Sequence, residues 1–429
     1  MSWWCQLAWL DGRPVPGVRV AAVDGVVTEV SQGEQQPGDT VLAGLVLPGL
    51  ANAHSHAFHR ALRGRTHADG GTFWTWRDAM YRLAESLDPD TYLGLARATF
   101  AEMVLAGYTV VGEFHYLHHG PGGVRYDDPN AMGAALVQAA DEAGIRLTLL
   151  DACYLQGGLD GRPLRGPQLR FGDGDVEAWS GRVEGLRDTA LVRHGVAAHS
   201  VRAVPTSALP VLAGHPIRHV HLSEQPAENA ESLRVHGCTP TQLLDDAGFL
   251  GAGACAVHAT HLSEDDLVRL AGTTVCMCPT TERDLADGVG PARALHGPVC
   301  LGSDQHAVID PFEEARALET DERLVSLQRG RFTPVELVTA ATRAGYAALG
   351  WDGGELRIGA VADLVAVALD TPRTAGADPV QLLLAAGAAD VTDVIVAGRQ
   401  VVTAGQHVLG DVGRLLSDAI GASRYHRHR

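Results

Sequence analysis

Two histidines separated by one residue, His54 and His56, lie in the stretch Pro48-Gly-Leu-Ala-Asn-Ala-His-Ser-His-Ala-Phe-His-Arg60. At the end of an extended strand, side chains two apart point to the same face, so the pair presents two imidazoles together. That is half of a catalytic zinc site, which takes about three protein ligands and keeps one position for water. In a chain with 20 histidines such a pair also arises by chance, so the missing ligands must be found elsewhere. His221, in Val-His-Leu-Ser-Glu, can supply a third imidazole, and Asp304, in Leu-Gly-Ser-Asp-Gln-His, a carboxylate. A divalent ion on these ligands lowers the pKa of a bound water towards neutrality. Glu224, three residues past His221, could then shuttle protons, and His258 could hydrogen-bond the reacting group. Singly, each of these reads as a satisfied buried polar residue. As a set they read as chemistry, provided the fold brings them to one place.

The elements that would do so are short apolar runs alternating with helical stretches such as 92–106 and 129–143. Strands are expected at 109–116, 146–154, 196–202, 217–224, 254–261, 273–279 and 299–304, with the run 41–47 before Pro48 as the first of eight. Enough chain follows each for a helix, which is the pattern of a (β/α)8 TIM-like barrel of class α/β. Polar residues gather at the strand ends: His54/His56, Glu113/His115/Tyr116, His199/Arg202, His221/Glu224, His258/His261 and Ser303/Asp304. In a barrel those ends converge on one mouth. Thr280-Thr281-Glu282 and Asp287-Gly288 follow the seventh strand and are further candidates to line the pocket. Residues 3–47 alternate apolar runs with Asp11-Gly12 and Asp24-Gly25 turns, predicting antiparallel β hairpins. After about residue 355 the helical pattern stops, and Ala362–Leu369 and Val391–Val402 read as β, with a turn at Gly398-Arg399. Residues 1–47 and 355–429 are therefore expected to form one small β-sandwich domain beside a barrel of residues 48–354. The segment 156–174, rich in Gly, Arg and Pro, is a long loop and a candidate lid. The tail 423–429 is polar and expected to be loose.

Composition narrows the partners. A net charge of −17 argues against nucleic acid or an anionic membrane, and makes any anionic substrate depend on local arginines. All 34 basic residues are arginine; the chain has no lysine. No apolar run approaches a membrane span, and the N-terminus lacks a basic region and a cleavage site, so no signal peptide is read. Seven cysteines without a framework suit reduced thiols in the cytoplasm. Cys276-x-Cys278 could be half a zinc site, but no second pair follows it, and buried thiols are the expectation.

The order His-x-His, His, His, Asp along strands one, five, six and eight resembles the amidohydrolase superfamily, as do Ala362-Asp-Leu-Val365 and the run 391–402 of its small domain. Many members bridge two metals with a carboxylated lysine from strand four. Here that strand ends His-Ser-Val-Arg-Ala-Val, without lysine, which points to the mononuclear, deaminase-like branch. Within it, the motifs at 48–58, Thr72–Arg77, Gly112–Tyr116, His199–Val204 and Val257–His261 are similar to the formimidoylglutamate deiminase family. The resemblance implies hydrolysis of N-formimino-L-glutamate to the formyl compound and ammonia. It implies one divalent ion per chain, Zn²⁺ or else Fe²⁺, on His54, His56, His221 and Asp304, and a catalytic group of Glu224, His258 and Asp304. Arg77, Tyr116, His199 and Arg202 would contact a small dicarboxylate substrate, and a homodimer is what the family suggests. Arginine forks suit that substrate on physical grounds too, because they bind carboxylates through paired hydrogen bonds. His59 departs from the pattern, standing where members carry Gln, so an imidazole would replace an amide at that substrate contact and bring pH sensitivity. A heterocycle deaminase sharing the metal set, or an inactive binding protein on the same scaffold, are the other readings; fold alone does not separate them.

Overall fold

In the computed structural model, which describes residues 1–67, 71 and 73–423, two eight-stranded sheets carry the chain. It begins with β1 (Ser2–Leu10), β2 (Arg13–Val23), β3 (Val26–Gln32) and β4 (Thr40–Pro48). The first two links are Asp-Gly turns with both central residues at positive φ, +48° and +78° at Asp11-Gly12 and +50° and +77° at Asp24-Gly25. That geometry matches the twist of the strands it joins. β4 runs parallel to β1, so this region is mixed rather than the purely antiparallel arrangement expected.

The barrel follows: β5 (Leu50–Ser55), β6 (Tyr108–His115), β7 (Arg146–Cys153), β8 (Val192–Ala198), β9 (Arg218–Leu222), β10 (Ala254–His258), β11 (Thr274–Met277) and β12 (Val299–Leu301). All neighbours pair in parallel. The ring is drawn together at its top, where Ser55 bridges Asp304 and the amides of Ser303 and Asp304 both donate to the His54 carbonyl at 3.1 and 3.0 Å. β13 (Leu364–Val367), β14 (Val391–Val396), β15 (Arg399–Thr403) and β16 (Gln406–His407) then join the first sheet, β13 pairing with β4. Both ends of the chain thus build one sheet, in the order β16-β15-β14-β13-β4-β1-β2-β3.

Three further expectations are corrected. The run 41–47 is not the first barrel strand; it lies within β4 of the other sheet, and the barrel opens with β5, which itself carries His54. The handover is at Gly49, where a Cβ would stand 2.3 Å from Thr109 Oγ1 and 2.5 Å from the Tyr346 hydroxyl. Those groups belong to a buried network in which Asp363 accepts from Tyr346 at 2.6 Å and from Arg146 at 2.8 Å, tying sheet to barrel. Only glycine lets the backbone pass that close. Second, helical structure does not stop at 355. Asp411 caps a helix over Val412–Ala422, which buries Val412 and Leu416. Third, the turn between β14 and β15 is Ala397-Gly398, at φ +52° and +74°, one residue earlier than expected.

The loop 156–174 is tied down through Arg170, fully buried, whose guanidinium donates to the carbonyls of His119, Ala84 and Leu87. Thr72 and most of the polar tail, residues 424–429, lie outside the described residues. All seven cysteines are free, and no described helix is long and apolar enough to cross a membrane.

Candidate active site

Period-two alternation along the barrel strands decides which polar residues reach the mouth. On β6, Phe114 faces inward and stacks on His221 with ring centroids 4.3 Å apart. Glu113 and His115 therefore face the helical layer, which corrects their expected place at the mouth. Glu113 accepts from Ser55 Oγ at 2.6 Å and from Ala57 N at 2.7 Å, fixing the turn that carries His56. Burial nevertheless pushes its carboxyl up to about 8. His115 packs edge-on to His118, away from the pocket. His261 is also elsewhere, bonded to the Asp287 carbonyl at 2.8 Å.

The four expected ligands do meet. His54 Nε2 stands 3.1 Å from His221 Nε2 and 3.3 Å from Asp304 Oδ1, and His56 Nε2 is 3.4 Å from the same oxygen. Ligand atoms sharing one tetrahedral zinc lie about 3.3 Å apart. Two of the rings have their tautomer set from behind. A carbonyl can only accept, so His56 Nδ1 donates to Phe114 O and His221 Nδ1 to His199 O, each at 2.9 Å, leaving the Nε2 lone pairs facing the centre. Burial lowers the pKa of His54, of His56 to about 3, and of His221 well below its usual value, which favours the neutral form of each ring. Burial opposes ionisation of Asp304, but the adjacent His54 and His258 rings outweigh it and hold its carboxyl below the usual carboxylate range. Three neutral imidazoles and one carboxylate suit a divalent ion such as zinc.

The catalytic candidates sit on the same side. His258 Nε2 is 3.8 Å from Glu224 Oε1 and 3.9 Å from Asp304 Oδ2. Burial works against a charged His258, yet Glu224, Glu282 and Asp304 prevail and push it up to about 10. Burial raises Glu224 in turn. Ser223, His258 and Asp304 all have left-handed backbones, at φ +48°, +67° and +41°. Such conformations are costly for non-glycine residues and concentrate at functional sites. The strands end earlier than expected: β8 at Ala198 and β12 at Leu301, so Arg202 and Asp304 stand on the turns beyond.

The pocket above is lined by His56, His59, Tyr116, His199, Arg202 and Arg77 from the expected set. Arg77, half-buried, lies over the Tyr81 ring with its guanidinium carbon 5.5 Å from the centroid. Arg202 approaches Glu228 at 3.1 Å, off the line of its N–H, and Glu224 at 3.7 Å. His199 stands edge-on to Tyr154 and to His221. His59 Nε2 meets the Tyr116 hydroxyl at 2.9 Å. Burial holds its ring well below the ordinary histidine range.

Sequence reasoning missed Glu228 and the aromatic walls Tyr81 and Phe171, which nothing in local spacing announces. It also missed that Cys255 and Cys300 join Cys276 and Cys278 in one buried cluster. A second group, His115, His118 and Asp151, has ligand spacing too. Its carboxylate is already engaged by Arg182 at 2.6 and 2.8 Å and by Trp179 at 3.0 Å. Metal analysis of purified protein is therefore expected to return about one tightly bound ion per chain; two equal ions would contradict this.

The amidohydrolase family model matches residues 45–401. A formimidoylglutamate deiminase of Pseudomonas aeruginosa is 38% identical over 413 residues, 90% of this chain and 91% of that one. An 8-oxoguanine deaminase of the same organism is 30% identical over 87% of each. Among solved structures, an amidohydrolase from Brucella melitensis superposes with a TM-score of 0.89 at 31% identity, covering 98% of this chain and 99% of that one.

Proposed function

The chain belongs to the amidohydrolase family, whose members are metal-dependent hydrolases, and from that premise we propose that it is a formimidoylglutamate deiminase. The coarser reading, hydrolysis of a C–N bond with loss of ammonia, follows from its deaminase relatives. The observation that carries the finer one is a pair of arginines, Arg77 and Arg202, on the pocket that opens over the ligand cluster. Guanidinium groups there would receive the two carboxylates of N-formimino-L-glutamate and offset a net charge of −17 locally.

His54, His56, His221 and Asp304 would hold the ion. When bound, a divalent ion there supplies Lewis-acid chemistry and acidifies a coordinated water. The protein's own groups divide the remaining work. Arg77 and Arg202 anchor the glutamate end so that the formimino carbon faces Asp304. Asp304 takes up the proton of the attacking water. Glu224, whose protonated form burial favours, delivers a proton to the terminal nitrogen, and His258 Nε2 donates to the tetrahedral centre. Breaking the C–N bond then releases ammonia and leaves the formyl group. The roles of Tyr116, His199 and His59 are to close the pocket and hold the substrate's polar edge.

A second reading has its own observation. Trp76, Tyr81, Tyr154 and Phe171 line the same pocket, and such walls suit a planar heterocycle. Metal-loaded protein incubated with N-formimino-L-glutamate is expected to yield equal amounts of ammonia and N-formyl-L-glutamate. No ammonia from that substrate would remove the assignment.

A further inference from the structure

Behind His258 stands a carboxylate that the steps above leave unused. Glu282 lies in the first turn of the helix Pro279–Asp284 and is buried. Its Oε1 accepts from Cys278 N at 3.0 Å, which folds the side chain back over the end of β11. The same oxygen is 3.5 Å from His258 Nδ1. That nitrogen is buried and has no aligned hydrogen-bond partner. The ring's other nitrogen points between Glu224 and Asp304, at 3.8 and 3.9 Å.

A carboxylate oxygen beside Nδ1 accepts a hydrogen bond from it, so the contact suits a ring that carries hydrogen there. With Nδ1–H engaged from behind, the ring can act only through Nε2, and rotation about its axis would break the contact. At 3.5 Å the contact is longer than a formed hydrogen bond, as is common in ligand-free enzymes whose catalytic contacts tighten around substrate. The left-handed backbone of His258 shows that the main chain is already bent to bring the ring between these acids. We propose that Glu282 is a positioning residue, whose carboxylate accepts from Nδ1–H and fixes the orientation in which His258 presents Nε2–H to the reacting centre. This rests on the role given to His258 above.

The test is a double-mutant cycle with two substitutions at Glu282. Glu282→Ala removes the acceptor, and kcat should fall about 10²-fold with KM within about twofold. Glu282→Gln keeps an oxygen for Cys278 N and for Nδ1–H but loses the charge, so the loss should be partial, about tenfold. In a His258→Asn background either change should alter kcat by less than about twofold, since the effect passes through His258. The kinetics can use whichever amidine or purine the wild-type protein deaminates. Independently of turnover, ¹⁵N-histidine NMR should show one Nδ1–H signal that is absent in His258→Asn and also lost in Glu282→Ala. Equal losses with and without His258, a wild-type kcat in Glu282→Ala, or survival of that signal would each overturn the proposal. Because the NMR arm needs no substrate, its outcome is separate from failure of the deiminase reading.

Discussion

Asp304→Asn is expected to lower kcat by about 10⁴-fold, the scale seen when a carboxylate in a catalytic unit becomes an amide. The substitution changes almost nothing sterically. The backbone contacts that draw the barrel together, Asp304 N to His54 O at 3.0 Å and His56 N to Asp304 O at 3.1 Å, do not involve the side chain. What is lost is, among the described residues, the only anionic oxygen within 3.4 Å of two ligand imidazoles, together with the acceptor for the water's proton. An amide can still present an oxygen to an ion, but a much weaker one, and it has no basic lone pair. Metal content should fall and thermal stability should stay near that of wild type. Retained activity within tenfold, at saturating substrate, would show that Asp304 neither binds the ion nor moves a proton.

Arg202→Met is expected to reduce kcat/KM by about 10²-fold, chiefly through KM, while the ion stays bound. A charge-assisted hydrogen-bonded pair contributes roughly 1.5–3 kcal/mol, and about 1.4 kcal/mol is a factor of ten. Methionine preserves much of the apolar stem and removes the fork. Arg202 also faces Glu228 at 3.1 Å and Glu224 at 3.7 Å, so its loss leaves two carboxylates without their counter-charge. Burial already raises the pKa of Glu228, and it is expected to take up a proton rather than stay as an unpaired anion. The kinetic signature is a KM change several times larger than the kcat change. An unchanged KM would take Arg202 out of the substrate site.

The ligand set was legible because its chemistry is selective. Histidines and an aspartate at the tips of apolar runs have few structural reasons to recur in that order, and the chain's lack of lysine excludes a lysine bridge. The first barrel strand was not legible. Val41–Leu47 and Leu50–Ser55 are both buried over most of their length, and such runs do not reveal which sheet they enter. The cue was Gly49, whose close approach to Thr109 and Tyr346 exists only in the folded state. Glu113 and His115 were misplaced for a related reason: in a strand covered on both faces, sequence does not mark the inner one. The helix Val412–Ala422 was hidden by Gly413, Ser417 and Gly421, poor helix formers whose cost is met by packing of Val412 and Leu416. Glu228 could not be read at all, and Glu282 was read only as a pocket-lining candidate, since their partners, Arg202 and His258, are reached through turns rather than through spacing.

The most direct test is a side-by-side measurement of kcat/KM for N-formimino-L-glutamate and 8-oxoguanine with the same metal-loaded protein. The account predicts ammonia release from the formimino compound with a preference of about 10³-fold or more, since a pocket built around carboxylates leaves its arginines unmatched by a purine. A preference for 8-oxoguanine, or no ammonia from N-formimino-L-glutamate, would contradict it.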